Sequence, residues 1–368
     1  MLVSWLNSSM VWQTSNSTAK ANATCGIFTQ PVTVDLCRIT AQVLGSNRSG
    51  FWFEVWLPDD WSGRFLATGN GGLGGCIQYS DVRYGASPGF AIISTNNGHQ
   101  GYTGAPFLHN LDSFPDLFDG VVVGAPAIAR NNLTSWAIQF YPFVGTPESV
   151  TFILLDLWPI IDQYILDHDD HLDGVADGIM ELPNVCNYNP DDLLCTEAQS
   201  TSCLTSTQLQ TPKSIYLPLL DAAGGLKRGG KLLHWHGLTD GVLSSENSPR
   251  YYEYVSQTMG MDSEALDEFH RFFRLSGMSH CGRDNGATFI GHQSASTASL
   301  ALKENVLMAM VRKVESEVAT DTIVSTSHNY GTKDNGVDFK RRHCRWPYHN
   351  VHQGVGDYKD SNTWRCTL

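Results

Sequence analysis

The sequence predicts an α/β protein built on a mixed or parallel sheet and interrupted by a large insert. Three observations predict it. Between residues 30 and 128 the apolar, strand-length runs lack the alternation of a sheet with one wet face. From about 140 to 215 the chain turns Asp-, Cys- and Pro-rich with little strand signal. At "KLLHWHGLTDG" (231–241) the earlier style of strand returns.

Taken in order, "FWFEVWLP" (51–58) and "RFLATGNGG" (64–72) are aromatic or β-branched runs closed by Pro or Gly, and "GFAIISTNNG" (89–98) is near-continuously apolar up to a polar loop. "FDGVVVGAPA" (118–127) is a further strand of this kind, and the following insert reads as a lid. After 231–241, "SEALDEFHRFFRL" (263–275) passes from helix to strand and leads into the turn "GMSHCG". No internal repeat or low-complexity tract interrupts the pattern.

With 368 residues, 42% apolar and 17% charged, the chain can bury a substantial core. Its net charge of −13 argues against nucleic acid or an anionic membrane surface as partner, and the basic run "FKRRHCRW" (339–346) is too short to overturn that. No stretch of about eighteen apolar residues is present, so no spanning helix is expected. Sequons at Asn7, Asn16, Asn22, Asn47 and Asn132, with nine cysteines, favour an oxidising, secreted setting. The N-terminal stretch shows neither the charged nor the apolar region of a signal peptide.

Four motifs carry chemistry. "HGLTDG" and, forty residues on, "GMSHCG" place Asp240 and then His280 at successive strand ends, the chain order of the last two members of a Ser, Asp/Glu, His triad in α/β-hydrolases. Such chemistry needs a neutral imidazole to take a serine proton and a carboxylate to hold its tautomer. The other reading is a turn aspartate and a surface histidine. The literal G-x-S-x-G match, "GASPG" (85–89), precedes a strand, and Pro88 removes the N–H that would follow the nucleophile, so Ser87 reads as a loop serine. "GNGGLGG" (69–75) after a strand reads either as an oxyanion-binding backbone, with Gly71 and Gly72 as candidates, or as a tight structural turn. "DDHLDGVADGI" (169–179) sets carboxylates around two glycines, which suits a hard cation better than a solvated acidic turn. It departs from the EF-hand pattern, and Zn²⁺ on Asp with His168 or His171 is a further reading that finds no cysteine at ligand spacing.

Together "PVTVDLCRITAQV", "FEVWLPDDWSGRFLATGNGGLGGCIQYSDVRYG", "GFAIISTNNGHQG", "FDGVVVGAPAIARNNLTSW", "HLDGVADGI", "HGLTDG", "RFFRLSGMSHCG" and "RRHCRWPYHNV" resemble the tannase and feruloyl esterase family of secreted ester hydrolases, in particular its fungal feruloyl esterase B-like branch. The resemblance implies an α/β-hydrolase core with a mostly parallel mixed sheet, spanning 25–139 and 229–368 after a variable segment 1–24, and a lid at 140–228 that holds a structural Ca²⁺. It implies hydrolysis of small aromatic or plant cell-wall esters of hydroxycinnamic or gallic acids, with Asp240 and His280 as acid and base. The implied Ca²⁺ ligands are the side chains of Asp170, Asp173 and Asp177 and the carbonyls of Val175 and Ile179. The implied disulfides are Cys25 with Cys76, Cys195 with Cys203, and Cys344 with Cys366; the last two also suit short loop closures.

The chain departs from the family most at one place. Relatives carry a Cys-Ser-x-Gly-Gly-type elbow before "FPDLFDG", bridging its cysteine to the one after the histidine, whereas here "HNLDS" (109–113) runs straight into that segment. The nucleophilic serine and its strand are expected to be absent, since a βαβ unit alone needs roughly 30 residues. Three cysteines are then left over: Cys37, Cys186 (Asp169 stands where relatives have its partner) and Cys281. The expectation is a catalytically deficient member of an esterase family; the alternative is a non-catalytic, Ca²⁺-bound protein that binds aromatic ligands.

Overall fold

The computed structural model describes residues 4–20, 29–44, 50–71, 74–98, 118–127, 140–186, 188–196, 201–215, 231–282 and 284–368. They fall into two units, Met1–Pro115 with Gln293–Ala295, and Asp116–His292 with Ser296–Leu368.

The first unit contains β1 (Ser4–Gln13), β2 (Thr18–Lys20), β3 (Thr29–Pro31), β4 (Leu36–Leu44), β5 (Gly50–Pro58), β6 (Phe65–Thr68), the helix α1 (Tyr79–Ala86) and β7 (Ala91–Thr95). Five strands form one mixed sheet in the order β1-β4-β5-β7-β6, antiparallel except that β6 runs parallel to β7. The expected variable segment thus supplies a ten-residue strand paired to β4. Trp56, Leu36, Ile77, Tyr79, Val82 and Ile92 make the core. Within it Glu54 is 2% exposed. It is tolerated because Arg38 grips it with two hydrogen bonds of 2.8 and 2.7 Å, while the Tyr79 hydroxyl (2.7 Å) and the Trp56 Nε1–H (3.2 Å) donate to the same carboxylate. The run read as a strand over 64–72 is strand only over Phe65–Thr68. Among the described residues β6 is an outer strand of its sheet, so Phe65 is 59% exposed.

The second unit contains β8 (Gly120–Gly124), α2 (Trp158–Asp169), α3 (Gln210–Ile215), β9 (Lys231–Gly237), α4 (Asn247–Met259), α5 (Ser263–Leu266), β10 (His270–Leu275), α6 (Val306–Ser316), β11 (Thr322–His328), β12 (Val337–Cys344), β13 (His349–His352) and β14 (Trp364–Thr367). β10, β9 and β8, in that order, form an all-parallel sheet. Alternation sends Leu233, Trp235, Phe273 and Leu275 into one core with Val306, Ala309 and Met310 of α6. On the opposite face Phe272 packs with Tyr252 and Val255 of α4. Burial on both faces is the physical reason these strands read as unalternating runs. β8 differs: all five of its residues are only half-buried although it reads Gly-Val-Val-Val-Gly, and among the described residues it pairs on one side only.

The insert is strand-poor, as expected, with 3-10 turns, α2 and α3 around Ile153, Ile161, Leu204 and Leu209. Cys195 and Cys203 are bridged there, and Cys344–Cys366 ties β12 to β14. Cys76 is also disulfide-bonded, whereas its expected partner Cys25 lies outside the described residues. Cys37, Cys186 and Cys281 are free. Among the described residues no helix is long and apolar enough to cross a membrane.

Candidate active site

β9 and β10 are parallel and in register, with Arg274 opposite His236 and Leu275 opposite Gly237, so the turns that follow them emerge side by side at the carboxyl edge of the sheet. That edge is where open α/β sheets place their ligands. Backbone hydrogen bonds lace the two turns together: Leu238 N–H to the Leu275 carbonyl (2.9 Å) and Thr239 N–H to the Met278 carbonyl (3.1 Å). Gly237 permits this approach, because a Cβ there would lie 2.7 Å from the Ser279 carbonyl oxygen and nearer still to that of Met278.

The two sequence-predicted residues meet across this seam. Asp240 Oδ2 accepts from His280 Nδ1 at 2.8 Å, and Asp240 Oδ1 accepts from the Val242 (2.8 Å) and Leu243 (2.9 Å) amides. The carboxylate side chain is fully buried while the imidazole keeps 37% of its surface exposed. Burial works to raise the Asp240 pKa, but hydrogen bonds from His236, His280 and the Leu243 and Val242 amides outweigh it and hold the group well below the usual carboxylate range. The hydrogen bond that His280 donates to Asp240 raises the His280 pKa above its ordinary value against partial burial. Nδ1 therefore carries the proton shared with Asp240, and Nε2 has no hydrogen-bond partner among the described residues. An oriented imidazole with a free Nε2 is equipped to take a proton from a hydroxyl.

The sequence did not single out His236, whose Nε2 is 3.1 Å from the same Asp240 oxygen. The available signal was the H-x-H pattern at the strand end, which sets His234 and His236 on one face. Cys281 follows the base with φ +56°, a conformation unusual for a residue with a Cβ, and burial pushes its thiol up to about 11. It is a poor nucleophile in that state. No described serine is hydrogen-bonded to His280: Ser248 bonds His234 and His236, and Ser325 bonds His343, all sealed at 0% exposure. Ser87 is the loop serine expected, capping α1 with its hydroxyl on the Arg83 carbonyl (2.9 Å) and φ −59°. Of the glycine candidates, Gly71 is exposed in a turn closed by Gly74 N–H at 3.1 Å and belongs to the first unit; Gly72 lies outside the described residues, as does the 109–114 junction.

In the acidic loop, Asp170 and Asp173 are 5% and 1% exposed. Asp170 Oδ2 accepts from Gly178 N–H (2.7 Å), Asp173 from the Val175 (3.1 Å) and Glu181 (3.2 Å) amides, and Asp177 from Ile179 N–H (3.1 Å). Asp177 also pairs with Arg341, which bonds Glu181 at 3.1 Å. Burial, then repulsion from Glu181 and Asp177, pushes Asp173 up to about 7, while Asp170 Oδ1 is buried without a partner. Two of these four carboxylates, Asp177 and Glu181, thus share one guanidinium, although among the described residues no three His, Cys, Asp or Glu side chains gather tightly enough to hold a metal ion by themselves.

Residues 104–226 and 220–367 match the family model described as tannase and feruloyl esterase. The chain is 33% identical to a protein of Aspergillus terreus named "Probable feruloyl esterase B-2", over 94% of this chain and 89% of that one. The chain belongs to the tannase and feruloyl esterase family. Two solved structures from Aspergillus oryzae share its fold over 99% of this chain and 97% of theirs: an esterase (32% identity, TM-score 0.89) and feruloyl esterase B (31%, 0.88). The family's α/β-hydrolase-like arrangement of mixed sheet and helices is therefore that of this chain. The alignment with the A. terreus protein runs over 468 positions, 100 more than the 368 residues of the whole chain, so that relative carries residues with no counterpart here.

Proposed function

We propose that this chain is the scaffold of a secreted serine carboxylesterase acting on feruloyl, other hydroxycinnamoyl or galloyl esters, and that it lacks the segment bearing its nucleophilic serine. The observation that carries the first half is the 2.8 Å Asp240–His280 hydrogen bond at the carboxyl edge of adjacent parallel strands, with Nε2 left free. With a serine supplied, His280 Nε2 takes the hydroxyl proton as the oxygen attacks the ester carbonyl, then returns it to the leaving alcohol; a second cycle with water releases the aromatic acid. Asp240, kept ionised by four donors, stabilises the transient imidazolium.

Two observations support the missing segment: the excess length of the alignment, and β8, which is half-buried throughout and among the described residues pairs on one side only. Three valines that among the described residues pair on one side only suit a parallel sheet that has lost a neighbour. The donor set at Asp170, Asp173 and Asp177, with the Val175 and Ile179 carbonyls, fits Ca²⁺: all are hard oxygens, the carboxylates exceed the available positive charge, and Asp170 Oδ1 is an unmatched buried acceptor. Bound Ca²⁺ would supply charge neutralisation to this loop, with no part in the ester chemistry.

The test is to sequence the transcript across the codons for Ser113 and Phe114, express the chain with and without any segment found there, and assay methyl ferulate and methyl gallate. Turnover is expected only with the segment restored and is lost in His280→Ala. Turnover by the present chain that His280→Ala abolishes would sink the claim of a missing nucleophile. An intact restored chain that hydrolyses neither ester would sink the substrate reading.

A further inference from the structure

Behind Asp240 lies a fully buried chain of polar groups that the triad does not require. His236 Nε2 lies 3.1 Å from Asp240 Oδ2 and 3.2 Å from the Leu243 carbonyl; its Nδ1 lies 2.6 Å from Ser248 Oγ; and Ser248 Oγ lies 2.8 Å from His234 Nε2. His234, His236 and Ser248 are all 0% exposed. They come together because alternation along β9 points His234 and His236 to the face covered by α4, whose second residue is Ser248.

Hydrogen-bond accounting gives the chain a direction. A carboxylate and a carbonyl only accept, so His236 Nε2 must carry a proton. If Nδ1 is then a lone pair, the Ser248 hydroxyl donates to it, and Ser248 Oγ is free to accept from His234 Nε2–H. His234 is left with a bare Nδ1, and that atom is buried without a partner. An unpaired buried acceptor is the cheaper defect, since the other tautomer of His234 would bury an unpaired N–H and draw the serine proton away from His236. Burial and the neighbouring His270 and His236 hold His234 neutral, consistent with a single donated proton.

We infer that His236 is a positioning residue for ester hydrolysis, its tautomer fixed by Ser248 and His234 so that Nε2–H holds Asp240 Oδ2 toward His280. The inference rests on the esterase reading of Asp240 and His280. Two imidazoles share one carboxylate oxygen, so the orientation of Asp240 is set from behind as well as by the Val242 and Leu243 amides. Sharing also divides the oxygen's charge: the more His236 takes, the less His280 feels.

Imidazole ¹⁵N and ¹H NMR on the present chain tests this without any turnover. In the unaltered chain His236 is expected at pH 7 as the Nε2–H tautomer with a pyridine-like Nδ1. Ser248→Ala should release that preference into a mixture of tautomers. His236→Phe should raise the His280 pKa by about half a unit, because Asp240 loses a competing donor, while His236→Gln, which can restore an N–H near Nε2, should leave it unchanged. A proton on Nδ1 of His236 in the unaltered chain, or equal His280 titration in the Phe and Gln variants, would overturn the inference; if His236→Phe does not fold, the unaltered chain and Ser248→Ala still decide. Failure of the esterase reading shows separately, as no turnover by the restored chain, and leaves these resonances unmoved.

Discussion

Gly237→Ala should loosen the Asp240–His280 pair from a position that neither residue occupies. A Cβ at 237 would sit 2.7 Å from the Ser279 oxygen and 2.8 Å from the Met278 carbonyl carbon, where real contacts are no shorter than 3.0 Å. Both neighbours are backbone, so the turn carrying His280 must move by several tenths of an ångström. The Met278 carbonyl pushed aside is the one that accepts from Thr239, beside Asp240. Overpacking of this kind costs about 1–3 kcal/mol. The movement should also stretch the 2.8 Å hydrogen bond that raises the His280 pKa, letting it fall back toward 6.5. Urea unfolding measures the first effect and NMR titration of His280 the second. A variant within about 0.5 kcal/mol of the parent and with an unchanged His280 titration would refute the argument that close packing at Gly237 sets the distance between acid and base.

Three further outcomes are expected. His270 has both ring nitrogens buried without partners, and burial lowers its pKa to about 4. Since the unfolded residue protonates near 6.5, its contribution to stability is present above that pH and is lost as the pH falls toward 4; His270→Phe should flatten the dependence of unfolding free energy on pH between 6 and 4.5 by about 1.4 kcal/mol per unit. Cys186 Sγ lies 2.5 Å from Asp169 Oδ2, so Asp169→Cys should form a disulfide there and lower the thiol titre by one from the parent, as mass spectrometry of the unreduced chain would show. Glu54→Ala leaves Arg38 buried without its carboxylate and should cost about 3–5 kcal/mol in chemical denaturation, whereas a loss under about 1 kcal/mol would refute the argument that Arg38 depends on Glu54 for its burial.

Two strands of the second sheet were legible because burial on two faces leaves a mark in composition: Leu232 to Trp235 and Phe272 to Phe273 need no partner to be recognised, and Val121 to Val123 of the half-buried β8 read as strand by their β-branched run. The boundaries were not, and Gly69 to Gly71 lie outside the strand expected to contain them because strand ends depend on pairing, which sequence does not display. Asp240 and His280 were legible as a spaced pair and adjoin as expected. His236 and Glu181 were missed because each acts through partners on other elements: Asp240 in the following turn and Ser248 on α4 for one, the distant Ser276, Arg341 and Asn350 for the other. A histidine in an apolar strand carries no sign of the serine that will meet it from a later helix. The acidic loop read as a cation site, but the arginine that shares its charge comes from residue 341, and no local pattern announces it.

The seam between the β9 and β10 turns lies wholly within one unit and is sewn by that unit's own backbone. Its acid–base pair owes nothing to a nucleophile for its assembly. The alignment of acid and base is thus a property of this unit's own two turns.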